Sequence, residues 1–190
     1  DDSATAQKLD ASTFGGAIDV SLATEAFDAE MTILGGVSTT DKIRTIIADT
    51  DNKVAAMSGV ETLVVTSTNA DVAASIDLTN VTGLVTVDAQ FTNNANADQI
   101  QIDGLAAGVK VTTTQTETAD NLVLNLKDAT GSADTISLQI DAIETANDVF
   151  NVDAAGIEVL NVNQKDAAAS VNLDLAGVTA TTGSKTTVNF

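Results

Sequence analysis

A short phrase recurs along this chain: a small residue, an aspartate, any residue, then an aliphatic. It occurs as Thr40-Asp41-Lys42-Ile43, Ala97-Asp98-Gln99-Ile100, Ala119-Asp120-Asn121-Leu122 and Ala133-Asp134-Thr135-Ile136, with a variant at Asn147-Asp148-Val149-Phe150. An aspartate in the turn before an apolar strand either caps backbone N–H groups or ligates a cation, and its recurrence means that the fold repeats a structural unit. A longer echo supports this. Gly59-Val60-Glu61-Thr62-Leu63-Val64-Val65 returns as Gly156-Ile157-Glu158-Val159-Leu160-Asn161-Val162, an offset of 156 − 59 = 97 residues, and Ser75-Ile76-Asp77-Leu78 returns as Ser170-Val171-Asn172-Leu173.

From residue 59 onward the sequence predicts short strands separated by polar turns. They are expected at 62–66, 75–78, 84–88, 99–103, 109–113, 121–126, 135–140, 149–153, 159–163, 171–175 and 186–190. Alternation in Asn121-Leu122-Val123-Leu124-Asn125-Leu126 and Thr135-Ile136-Ser137-Leu138-Gln139-Ile140 puts one face in water and buries the other. Two all-β architectures fit this spacing, a parallel β-solenoid and an antiparallel β-sandwich. Sandwich cores usually fill the ~10 Å between sheets with aromatics. Here five phenylalanines are the whole aromatic supply, so stacked valine, isoleucine, leucine and alanine in a narrow solenoid lumen is the better match. Residues 1–58 read as a separate, less regular segment: a strand at 17–22, a short helix at 24–31, and either a strand or an Asp41-capped helix at 40–48. Residues 59–190 then form the solenoid module.

Composition narrows the function. The net charge is −19, from 27 acidic against 8 basic residues, which rules against nucleic acid as a partner and against unaided docking on anionic lipid. Cysteine, histidine, tryptophan, tyrosine and proline are all absent. Without histidine or cysteine there is no catalytic triad or dyad, no proton shuttle and no soft-metal site. Glycoside hydrolysis needs only two carboxylates, but sugar sites normally add aromatic platforms, so no enzymatic activity is expected. No apolar run reaches the roughly 20 residues of a membrane span, and a start at Asp1-Asp2-Ser3 fits a processed chain or an excised fragment.

Hard oxygen donors at strand entries point to calcium, with Asp41, Asp98, Asp120 and Asp134 as candidate ligands drawn from adjacent coils. The same aspartates also suit plain turn formation, in which the carboxylate accepts backbone N–H groups. Calcium would offset self-repulsion among the excess acids. Threonine-rich stretches such as Thr112-Thr113-Thr114 offer a flat face to a surface or polysaccharide.

The phrases at 59–65 and 81–87, Ile102-Asp103-Gly104-Leu105-Ala106-Ala107-Gly108-Val109-Lys110-Val111, the run from Asn121 to Ile136, and Gly156-Ile157-Glu158-Val159-Leu160 resemble the crystalline-layer region of Caulobacter-type bacterial S-layer proteins. They are also similar to type I secreted proteins related to the repeats-in-toxin group. The resemblance spans about residues 57–190 and implies an extracellular, calcium-stabilised β-solenoid at the bacterial cell surface that assembles with copies of itself. Within it, Asp41, Asp98, Asp120 and Asp134 match the family's calcium-turn aspartate, although the family's preceding Gly-Gly-x-Gly is missing at all four. The rival expectation is an adhesin-type repeat that binds a surface or a cell-surface polysaccharide.

Overall fold

A computed structural model describes residues 6–23, 26–48, 52–68, 73–91, 99–114, 120–130, 134–142, 149–154, 156–164, 172–174 and 187–189. Its strands, in chain order, are β1 (Gln7–Asp10), β2 (Asp19–Ser21), β3 (Met31–Leu34), β4 (Lys42–Ile47), β5 (Asn52–Lys53), β6 (Ala56–Ser58), β7 (Thr62–Ser67), β8 (Ala73–Asp77), β9 (Thr86–Gln90), β10 (Gln99–Leu105), β11 (Lys110–Thr114), β12 (Asn121–Leu126), β13 (Thr135–Ala142), β14 (Val149–Asp153), β15 (Val159–Gln164), β16 (Asn172–Asp174) and β17 (Thr187–Asn189). They form three sheets: β2-β4-β7-β9-β11-β13-β15-β17, β5-β8-β10-β12-β14-β16, and β1-β3-β6. Every strand pairing within them is parallel, and the chain alternates between sheets, so the architecture is a parallel β-solenoid and not a sandwich.

Register explains why these residues stack. In the eight-stranded sheet Ile43, Leu63, Val87, Val111, Leu138 and Val162 lie side by side and all are buried. The facing sheet supplies a second column, Ile76, Ile102 and Leu124, and a third, Ala74, Ile100, Leu122 and Val152. Each aliphatic so buried contributes about 1.5–3 kcal/mol relative to exposure. Branched aliphatics of similar volume fill most of the lumen, and among the described residues only Phe27 and Phe91 add aromatic rings to that core. The lumen also holds Thr45, Ser67 and Thr113, whose hydroxyls are buried without a hydrogen-bond partner among the described residues. Strand alternation therefore divides the Thr112-Thr113 stretch: Thr113 points inward, and only Thr112 faces out, donating to Asp88 Oδ1 at 2.6 Å.

The coil does not break at residue 59. β4 pairs with β7 over six residues, and Lys42 to Ile47 is a strand continuous with the long sheet. No helix occurs among the described residues; 26–30 form turns that lead into β3, and residues 24 and 25 lie outside the described set. The expected irregularity of 1–58 arises from its third face. There β1, β3 and β6 pair as a short extra sheet that ends at an isolated bridge between Met57 and Val81. One coil later, only Ala106 to Val109 separate β10 from β11. That short turn leaves an apolar cleft of about 260 Å³ lined chiefly by Leu78, Val81, Leu84, Leu105 and Val109. Lys127 lies at its edge and donates across the gap to the Thr79 carbonyl, 48 residues away, at 2.7 Å.

Candidate functional site: the acidic corners

Asp41 and Asp134 are the last residues before β4 and β13, at the same corner of the long sheet but with three strands between them. Asp120 sits on the other corner, before β12. Asp98 lies outside the described residues. The structure therefore spreads the three described aspartates along the coil and does not gather them into one centre. Among the described residues no group of three or more Asp, Glu, His or Cys side chains converges.

Asp41 is fully buried and serves as a junction for three coils. Its Oδ1 accepts from Ile18 N at 3.0 Å, and its Oδ2 accepts from Gly36 N at 2.6 Å. Its own N–H donates to Glu61 Oε2 at 2.9 Å, while Glu61 N and Thr62 N both donate to its carbonyl, at 3.1 and 3.0 Å. Hydrogen bonds to an ionised acceptor are worth about 1.5–3 kcal/mol each, enough to keep this carboxylate in a dry corner. With each oxygen accepting one backbone amide, Asp41 acts as a capping group.

The same device recurs at Asp134. Its N–H donates to Glu158 Oε2 at 3.1 Å, and Glu158 N and Val159 N donate to its carbonyl at 3.1 and 3.0 Å. Glu158 is 2 % exposed. Sequence reasoning passed over Glu61 and Glu158 as functional groups, although both stand at the same place in the 97-residue echo. The signal was present, a glutamate held constant in an otherwise apolar phrase.

Asp134 is less buried than Asp41 as a whole, but its Oδ2 is buried with no hydrogen-bond partner among the described residues. A buried carboxylate oxygen without a donor is costly, and a cation relieves that cost. Asp134 also borders a groove of about 450 Å³ lined by Ala106, Ala107, Lys127, Asp128 and Thr130. Asp128 is held below the usual carboxylate range because the Thr130 hydroxyl and N–H both donate to its Oδ1, at 2.6 and 3.0 Å. Two carboxylates and a threonine hydroxyl are hard donors suited to calcium. The Asp120 carboxylate is buried as well, and the Asp120 carbonyl accepts from Asn151 N at 3.0 Å.

On the sheet faces, acids are matched by donors from neighbouring coils or from the same strand. Lys53 meets Asp77 at 2.7 Å, Arg44 grips Asp19 through Nε and Nη2, and Asp103 accepts from Gln101 and Asn125. Such exposed pairs contribute little each, but they keep acidic rungs from repelling one another. Compared with known proteins, the chain matches no family model, no curated protein and no solved structure.

Proposed function

We propose that this chain is a structural domain of an extracellular protein at the bacterial cell surface, which associates with copies of itself into an S-layer or filament. The observation that carries this reading is the pair of open ends. The long sheet terminates in β2 and β17 and its neighbour in β5 and β16, so among the described residues each end presents strand edges whose other side has no partner strand. Parallel edges of this kind accept a further strand, which a second copy of the chain can supply. The composition and phrase resemblance described above point the same way. Calcium fits at Asp134, with Asp128 and Thr130 as further oxygen donors, and when bound it would neutralise a corner of a strongly acidic chain.

Electron microscopy of the purified chain in millimolar calcium and in chelator tests the proposal. Ordered sheets or filaments are expected in calcium, with a lower Tm and fewer polymers in chelator. Persistent monomers in both conditions would overturn self-assembly, and identical melting would overturn the cation. A second reading, an adhesin-type repeat, draws on the outward polar column Lys42, Thr62, Thr86, Lys110, Ser137 and Asn161. Monomers that bind a cell-surface polysaccharide would favour it.

A further inference from the structure

Three large apolar side chains are prominently exposed among the described residues: Phe14 at 52 %, Val37 at 71 % and Val85 at 58 %. All three lie on one edge of the solenoid, in the turns that enter β2, β4 and β9 of the long sheet. The turns are stacked: Val37 N donates to the Phe14 carbonyl at 3.2 Å, and Val85 N donates to the Glu61 carbonyl at 2.9 Å. The 260 Å³ apolar cleft opens on this same edge, with Leu84 in its wall beside Val85.

The edge is also free of charge. In a chain with 27 acidic residues, the stretches 12–17, 35–40, 82–85 and 106–109 contain none, and no basic residue either. Glu61, the acid that interrupts them, accepts a hydrogen bond from Asp41 N. The one charged residue in the lining of the cleft is Lys127. A second chain of net charge −19 meets least repulsion along such a strip and gains an attractive contact at Lys127.

Resting on the self-assembly reading, we propose that this edge is a two-fold contact between copies of the chain, in which Phe14 of each enters the cleft of the other. Phe14 and the cleft stand about three strand spacings apart, about 14 Å along the axis at ~4.8 Å per strand. When two copies lie side by side with their axes antiparallel, both insertions are made at once, as an isologous contact requires. The apolar ring replaces water in the cleft, and Val37 and Val85 complete the buried strip.

The natural absence of cysteine permits a direct test. An added Cβ at Gly15 meets nothing within 4 Å, and Thr82 lies exposed on the wall of the cleft. The double variant G15C/T82C, mildly oxidised, is expected to give a closed dimer held by two disulfides, while each single variant stays largely uncrosslinked. Adding Phe14→Ser is expected to lower the crosslinking yield at least tenfold with little change in Tm, because Phe14 is half exposed and its ring lies over Gly16 of its own turn. A ladder of crosslinked polymers would overturn the two-fold geometry, and a yield unaffected by Phe14→Ser would overturn the role of the ring. Ordered polymers by microscopy with no crosslink would sink this contact alone. A closed dimer without polymers would leave the contact standing and sink the lattice.

Discussion

Gly35 is the position where a single methyl group should do the most damage. A Cβ built there falls 1.7 Å from the Gly59 carbonyl oxygen and 2.3 Å from its carbon, both backbone atoms of the next coil. A comfortable contact needs about 3.5 Å, so the two coils must part by about 1.5–2 Å. That opening ruptures the 2.8 Å bond from Gly35 N to the Ser58 carbonyl and pulls Gly36 N from its 2.6 Å bond to the buried Asp41 carboxylate. One backbone bond at about 1 kcal/mol and one charge-assisted bond at about 1.5–3 kcal/mol put the cost of Gly35→Ala at about 3 kcal/mol or more. Two other glycines calibrate it. At Gly108 an added Cβ meets nothing within 4 Å, but φ is +86°, so Gly108→Ala should cost about 1–2 kcal/mol from the left-handed backbone alone. At Gly15 there is neither contact nor positive φ, and Gly15→Ala should stabilise slightly, by about 0.5 kcal/mol, through the unfolded chain. Urea unfolding of the three variants gives the ranking. Hydrogen exchange should place the Gly35→Ala loss in β1 to β7 and spare β12, since a solenoid couples mainly neighbouring coils. Gly35→Ala costing no more than Gly108→Ala would refute the close stacking of the corner turns.

Glu158→Gln keeps an oxygen for Asp134 N and should cost under about 1 kcal/mol, whereas Glu158→Ala leaves that N–H without its acceptor and should cost about 1–3 kcal/mol in chemical unfolding. Equal costs would mean that the charge, and not the acceptor, holds the corner. Burial tends to raise the Asp77 pKa, but hydrogen bonds from Lys53 and from the Thr79 hydroxyl and N–H outweigh it and hold the carboxyl at about 2. A folded-state value below the unfolded one of about 3.9 gives stability that is present above pH ~4 and is lost as pH falls through about 2. The stability gap between wild type and Asp77→Asn should therefore close across that window, and a gap unchanged at pH 2 would show that the pairing carries no linked stability.

The strands after residue 59 were legible because alternation is a local signal. Asn121 to Leu126 and Val149 to Asp153 begin and end where the pattern says, since each inward residue meets an equivalent one on either side. Several features were hidden for definite physical reasons. β6 is three residues long, too short to alternate, so the third face left no trace, and with it went the cleft formed where that face ends. Ile43, Ile46 and Ile47 fit a helix as well as a strand, and only pairing with Leu63, Thr66 and Ser67 decides the matter. Coil length varies from 20 residues between Lys42 and Thr62 to 30 between Asn121 and Asn151, which defeats any fixed period.

The aspartate phrase gains its meaning from this variability. Two copies, at Asp41 and Asp134, lead into the long sheet, while the copies ending at Ile100 and Leu122 lead into its neighbour. What recurs is therefore an act of strand entry and not a place in the coil, because any turn that delivers the chain into a parallel strand leaves backbone N–H groups for a carboxylate to accept. Whether such a carboxylate has capacity left for a cation is decided by which amides reach it. Ile18 and Gly36 each donate to one Asp41 oxygen, whereas no donor among the described residues reaches Asp134 Oδ2. That contrast concerns donors from another coil and from a neighbouring turn, which a four-residue motif cannot encode. The calcium proposed above would therefore sit at the corner where the short turn of Ala106 to Val109 leaves a groove beside Asp134.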